Sequence, residues 1–285
     1  MVTVITHPET GRTFKLGRKR PIARGPRFRL KNYLRLTLPT PPTETNYAAN
    51  SISVLENIYG NDVEGDCVIA GMGHIAANLT GNATPGQPIE FTLDQINKLY
   101  SAIGGFDPSQ TDVNGNNPTD NGCNEVDALN YWQNNGLLPG EIVEHKIAGW
   151  MAVNANDPNE IRIALWLFEN LMFGIELPDE WVNNIPSKSG FTWDVAGDAN
   201  PNNGHCVVGA DYNTQGVFID SWGMIGLLTN AAISKYICAA SGGELYTVLS
   251  LDAISKATQK APSGFDWSQL VADFDSMSSG IKTNA

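Results

Sequence analysis

Charge and cysteine are both scarce in this chain, and each scarcity removes a class of protein. Charged residues make up 17% of the 285 and apolar residues 42%, the reverse of the balance in a wholly disordered polypeptide. Four cysteines are too few to staple a small secreted scaffold. No run of eighteen apolar residues occurs, so no membrane-spanning helix is expected. Met1 to Thr10 lack the apolar stretch of a secretory signal, so the expected location is inside a cell or in a virion. CxxC and HExxH spacings are missing, as is a glycine loop that could cradle phosphate. Neither a metal nor a nucleotide cofactor is therefore expected. The Asp and Asn residues of 107–124 lack the spacing of an EF-hand loop and read as turns.

The charge that is present is divided unevenly. Residues 1–38 hold ten basic residues against the single acid Glu9, a net +9. The remainder holds eight basic against 29 acidic residues, a net −21. The average of −12 describes neither part. Gly11, Gly17, Pro21, Gly25 and Pro26 interrupt any long helix in the basic part. It reads as an extended arm, ended by Pro39, Pro41 and Pro42. Three fates fit it: a solvated tail, a docking arm for an acidic protein surface or nucleic acid, or a cleaved or inhibitory pro-segment. It could also fold back on its own acidic body.

Helical periodicity runs from Asp66 to Leu79, with Asp66 as the expected N-cap. Further helices are predicted over Thr92–Ala102, Glu125–Asn135 and Asn159–Asn170, the last introduced by Asp157-Pro158. The period then shortens. Leu171–Ile175, His205–Ala210, Gly216–Asp220 and Leu245–Leu251 read as antiparallel strands. Residues 39–145 are thus mainly helical and 146–250 mainly β, an α+β architecture. Residues 251–285 are polar apart from Phe265, Trp267, Leu270, Val271 and Phe274, which are expected to pack this extension on the body.

Cys67 opens the first long helix. A helix N-terminus carries partial positive charge and favours a thiolate. A cysteine on an apolar helix also serves as plain core packing. His74 lies seven residues on, about 10 Å along the axis, too far to share a proton with Cys67, and reads as packing or surface. His7 and His145 read as surface. His205 differs, because it stands at the mouth of an apolar strand and can project into a cleft. Cys206 then faces the other side of that strand. Asp220 ends a strand expected to pair with the His205 strand as a hairpin. A carboxylate there could accept from the imidazole and orient it, under the cover of Trp222.

These segments resemble the papain-like (C1-type) cysteine peptidases. The nucleophile block corresponds to Asn61-Asp62-Val63-Glu64-Gly65-Asp66-Cys67, the histidine block to Gly204-His205-Cys206-Val207-Val208-Gly209, and the Asn-Ser-Trp-Gly block to Asp220-Ser221-Trp222-Gly223. Gly122-Cys123-Asn124 and the helix after it resemble the family's Gly-Cys-Asn-Gly-Gly loop. His205 follows Cys67 by 138 residues, inside the family's range of roughly 130–150. The resemblance implies a helical left half, an antiparallel β-barrel-like right half and a cleft between them. It implies Cys67, His205 and Asp220 as the catalytic residues and Asn61 as the oxyanion donor, in place of the family's longer Gln. It leaves Cys123 without its usual disulfide partner, since Glu64 stands at that place. Glu125-Val126 replaces the Gly-Gly of one cleft wall, where the added bulk and charge could narrow the cleft or select basic substrates.

The leading expectation is a thiol hydrolase of peptide or isopeptide bonds, with a polypeptide substrate and no cofactor. The alternative is a structural or assembly subunit of a larger particle, such as a viral or phage assembly, docked by its basic arm. An amidase or acyl transferase with the same Cys-His-Asp chemistry is a third reading.

Overall fold

In the computed structural model, which describes residues 2–21, 28–34, 40–250, 266, 268–270 and 272, the chain opens with a hairpin of β1 (Thr3–Thr6) and β2 (Thr13–Leu16). Four helices follow: α1 (Ile52–Leu55), α2 (Cys67–Ala83), α3 (Leu93–Gly104) and α4 (Glu125–Asn135). Then come β3 (Gly149–Ala152), α5 (Pro158–Phe168), β4 (Leu171–Pro178), α6 (Asp179–Asn183) and β5 (Phe191–Trp193). The body ends with β6 (Ala199–Tyr212), β7 (Gly216–Ser221), β8 (Met224–Thr229), α7 (Asn230–Tyr236) and β9 (Glu244–Leu249).

Local sequence accounts for most of these boundaries. Thr92 and Gln95 form a reciprocal capping box at the start of α3. Asp157 accepts from the Asn159 and Glu160 amides at the start of α5, where Pro158 needs no donor of its own. Asp66 departs from expectation. It occupies the N-cap position of α2, but its side chain caps no amide. Burial pushes its carboxyl well above the usual range, and that is the neutral form, a poor acceptor.

The seven-stranded sheet runs β3-β9-β4-β6-β7-β8-β5. Its neighbours pair antiparallel except β5 with β8, which are parallel. The sheet is open rather than the barrel-like closure expected: β3 and β5 stand at opposite ends of the order and do not pair with each other. These terminal strands have only four and three residues, too little ladder to close a barrel.

Both faces of the sheet are covered. On β4, Leu171, Phe173 and Ile175 join one core with α5, α7 and Trp193, whereas Met172 joins a second core with α2, α3 and α4. Val207 and Cys206 divide the same way on β6. Gly71 lets α2 sit against β6, since a Cβ there would already touch Cys206 Sγ at 3.2 Å and Val208 at 3.3 Å.

The described part of the arm is neither a free tail nor extended outward. Ile5, Phe14 and Leu16 of the hairpin, with Leu30 and Tyr33, are buried in the first core. Arg24, Arg27 and Arg35 lie outside the described residues. Of the C-terminal apolar cluster, Leu270 is buried in the same core, while Phe265, Trp267, Val271 and Phe274 lie outside the described residues. No helix among the described residues is long and apolar enough to cross a membrane.

Candidate active site

The N-terminus of α2 meets the sheet where β6 and β7 lie side by side. One small cavity there, about 10 Å³, is lined by Asn61, Cys67, His74, His205, Asp220, Ser221 and Trp222 among others. Five residues singled out in the sequence therefore share one place. The cavity has room for about one water molecule at most. The roomier concavities, about 530 and 400 Å³, lie on the helical side of the molecule, away from Cys67.

β7 and β8 are joined through Trp222 and Gly223, both with positive φ (55° and 72°), in a two-residue hairpin turn. Glycine is required at the second position, because a Cβ there would press on the Glu56 carbonyl. This turn lays the Trp222 ring over His205, with centroids 4.2 Å apart and planes 19° from parallel. Trp193 and Phe14 of the arm complete the cover, at 6.1 and 5.0 Å from Trp222.

The hydrogen bonding of the site differs from the expected triad. His205 Nε2 meets Ser221 Oγ at 3.0 Å, and Nδ1 has no partner. Asp220 Oδ2 instead pairs with His74 Nδ1 at 2.6 Å, leaving Oδ1 unpartnered. His74 is thus neither surface nor mere packing. Its Nε2 lies 2.8 Å from the Asn57 carbonyl, and its ring lies 4.9 Å from that of Tyr59. Both ring nitrogens face oxygens, an arrangement that suits the doubly protonated imidazolium; burial raises the Asp220 carboxyl while His74 opposes that rise. Burial opposes the His74 charge, but Asp220 and the Asn57 carbonyl support it, and the pKa of His74 is raised. Two helical turns carry His74 away from Cys67, as the sequence implied, and into reach of Asp220. Helical spacing could not reveal that contact.

His7 is also buried, against expectation. Its Nδ1 accepts from the Glu9 and Thr10 amides inside the hairpin loop. His145 is half-buried. All four cysteines are free, Cys123 included.

The arm packs against residues that flank this cavity. Asn61 and Lys15 exchange bonds: Lys15 N–H donates to the Asn61 carbonyl at 2.9 Å, and Asn61 Nδ2 donates to the Lys15 carbonyl at 3.1 Å. Farther on, Cys123 N–H donates to the Gly17 carbonyl at 2.9 Å and Lys19 N–H to the Cys123 carbonyl at 2.8 Å. Arg18 N–H donates to the Gly204 carbonyl at 3.1 Å on the opposite wall. The strand passes Cys123 in parallel orientation. Such contact requires glycine on both sides: a Cβ on Gly17 would overlap the Gly65 carbonyl, and one on Gly204 would overlap the Arg18 carbonyl. The Gly17 amide faces the Cys67 sulfur.

Covered in this way, the thiol and the imidazole are both neutral. Burial pushes the Cys67 thiol up to about 12, outweighing the Gly17 and Cys206 amides that favour the thiolate. Burial holds the His205 imidazolium down to about 3. The expected ion pair is therefore not the form present with the arm seated. The helix N-terminus does favour a thiolate by about 1 kcal/mol, but desolvation is the larger effect.

No family model and no curated protein matches the chain in sequence. Solved structures match it in fold. Xylellain, a cysteine protease from Xylella fastidiosa, superposes with a TM-score of 0.56 at 12% identity, covering 83% of this chain and 96% of that one. Digestive procathepsin L 3 from the larval midgut of Tenebrio molitor gives 0.50 at 13% identity, with 78% and 76% covered. A recombinant stem bromelain precursor gives 0.51 at 13%, with 74% and 71% covered. The fold is that of the papain-like cysteine proteases.

Proposed function

We propose that this chain is a papain-like thiol peptidase acting on polypeptides, latent while its own arm lies in the cleft. The single observation that carries the reading is the convergence of Cys67, His205 and Asn61 on one cavity, beside which the arm runs as extended peptide bonded to Asn61, Cys123 and Gly204. Once the arm leaves, water reaches the thiol and imidazole, and the cost of separating their charges falls. The Cys67 proton passes to His205 Nδ1, the nitrogen without a partner, while Ser221 Oγ and the Trp222 ring hold the imidazole in place. Cys67 Sγ adds to the substrate carbonyl. The oxyanion takes donors from Asn61 Nδ2, which here holds the Lys15 carbonyl, and from the backbone at Cys67. His205 returns the proton to the leaving amine. Water then releases the acyl group by the same route in reverse. Asp220 acts here as counter-ion to His74, not as a direct partner of His205.

The test uses the full chain carrying Gly17→Ala, which cannot seat its arm. This chain is expected to hydrolyse unfolded casein, and Cys67→Ala in the same background to abolish the activity. His205→Ala should lower it by roughly 10²–10⁴-fold, the usual worth of a general base. A folded Gly17→Ala chain whose Cys67 alkylates no faster than a free thiol, whose alkylation ignores His205→Ala, and which cleaves nothing would overturn the reading. That result would favour a non-hydrolytic subunit on a papain-like scaffold, for which the Asp220–His74 pairing is the motivating observation.

A further inference from the structure

Beside the thiol, on the Cys206 side of β6, the arm inserts the fully buried side chain of Arg18 into a cage of carboxylates. Arg18 Nη1 donates to the Gly242 carbonyl at 2.8 Å and Nη2 to Glu244 Oε1 at 2.6 Å. Nε lies 3.8 Å from Glu125 Oε1. Tyr246 fixes the second oxygen of Glu244 at 2.5 Å. The floor is Gly174, where a Cβ would strike both the guanidinium and the Glu125 carboxylate. At the rim, Arg20 pairs with Glu176.

Three features mark this as a recognition pocket as well as a clamp on the arm. Its acceptors are spread to suit a planar fork: Gly242 and Glu244 take different nitrogens, a geometry that a lysine ammonium cannot reproduce from one point. Glu125 is buried 3.8 Å from the guanidinium Nε; burial and the neighbouring Glu244 raise its carboxyl well above the usual range, and the arginine opposes that rise, so a cation here stabilises its charged form. When the arm withdraws, Glu125, Glu176 and Glu244 lose both arginines. The vacated cage keeps the acceptors that held the guanidinium, placed for the same planar fork.

We propose that the cage of Glu125, Glu244 and the Gly242 carbonyl binds an arginine side chain of the substrate polypeptide, Arg18 being the arm's own occupant of that pocket. The proposal rests on the reading of Cys67 as a nucleophile and names the substrate class for it.

The experiment frees the pocket in the full chain with Arg18→Ala added to Gly17→Ala, which lifts the arm, and measures labelling of Cys67 by epoxysuccinyl amides bearing arginine, lysine or leucine. Arginine is expected to label about tenfold faster than lysine or leucine. Adding Glu244→Gln should bring the three rates within about twofold of one another. Equal rates for the three probes in the Gly17→Ala, Arg18→Ala chain, with iodoacetamide still labelling Cys67, would mean the cage only holds the arm and would overturn the proposal. A thiol inert to every reagent would count against the nucleophile alone. The pocket would then be read by the melting temperature with N-acetyl-arginine amide, which must rise more than with the lysine analogue for the proposal to stand. Should Arg18→Ala not fold, Gly17→Ala alone, which lifts the arm together with its arginine, carries the same series.

Discussion

Gly17→Ala is expected to convert Cys67 from an inert thiol into a reactive one. The added methyl would overlap the Gly65 carbonyl and cannot be accommodated by a side-chain adjustment, because the obstacle is backbone. The arm must lift from the cleft, taking with it the burial that pushes the thiol up to about 12. At pH 7.5 such a thiol is almost wholly protonated. Return to an ordinary value near 8.5 alone gives on the order of 10³-fold more thiolate, and pairing with His205 should carry the rate beyond that of a free thiol. Iodoacetamide labelling against pH, followed by mass spectrometry, reads both the rate and its midpoint. Cys238, the partly exposed cysteine, serves as an internal reference and should label alike in both chains. Slow labelling of Cys67 in a folded Gly17→Ala chain, with the midpoint still near 12, would show that the arm is not what silences the thiol.

Asp220→Ala should destabilise the fold by about 3–5 kcal/mol, the usual result of removing one partner of a buried charge pair. The partner left behind is His74, buried and donating to the Asn57 carbonyl on its other side. His74→Leu with Asp220→Ala should cost less than the two single changes added together, since the double variant buries no lone charge. The effect also depends on pH, with a definite sign. The pKa of His74 is raised on folding, so its contribution is fully present below the ordinary value of about 6.5. It is lost as pH rises through the raised value. Denaturant midpoints of wild type and Asp220→Ala should therefore converge on raising the pH through that window. A gap that stays constant, or widens, would reject the charged pair.

The arm and the cleft bear on each other through complementary charge. The +9 arm and the −21 body meet in three places near Cys67: Lys15 with Asp120 at 2.8 Å, Arg18 with Glu244, and Arg20 with Glu176. The charge asymmetry that suggested an outside partner for the arm is met, for these residues, within the chain. Several elements of the site also belong to the body alone, notably the Asn61 amide, the Trp222 cover and the glycine walls at Gly65 and Gly204. With the arm seated, Asn61, Gly65 and Gly204 bound the path of its extended backbone.

Local order was legible in the sequence because its causes are local. Thr92 with Gln95, Asp157 with Pro158, and the apolar spacing of α2 and α4 set their helices with little help from elsewhere. The antiparallel pairing of β6 with β7 followed from two short apolar runs and the turn between them. The Cys67, His205 and Trp222 blocks were visible as motifs, and they line one cavity. Tertiary structure decided the rest. Whether Asp220 would reach His205 or His74 depended on how β7 crosses α2, a contact spanning 146 residues that no periodicity encodes. Asp66 lost its expected capping role to burial, which no single-residue preference anticipates. The arm's glycines read as helix breakers, but their larger consequence is close approach to Gly65, Gly122 and Gly204. Residue type by itself set which segments could be helix, strand or charge carrier. Packing in three dimensions set which charges were desolvated and which partner each one found, because burial and proximity are properties of the folded chain.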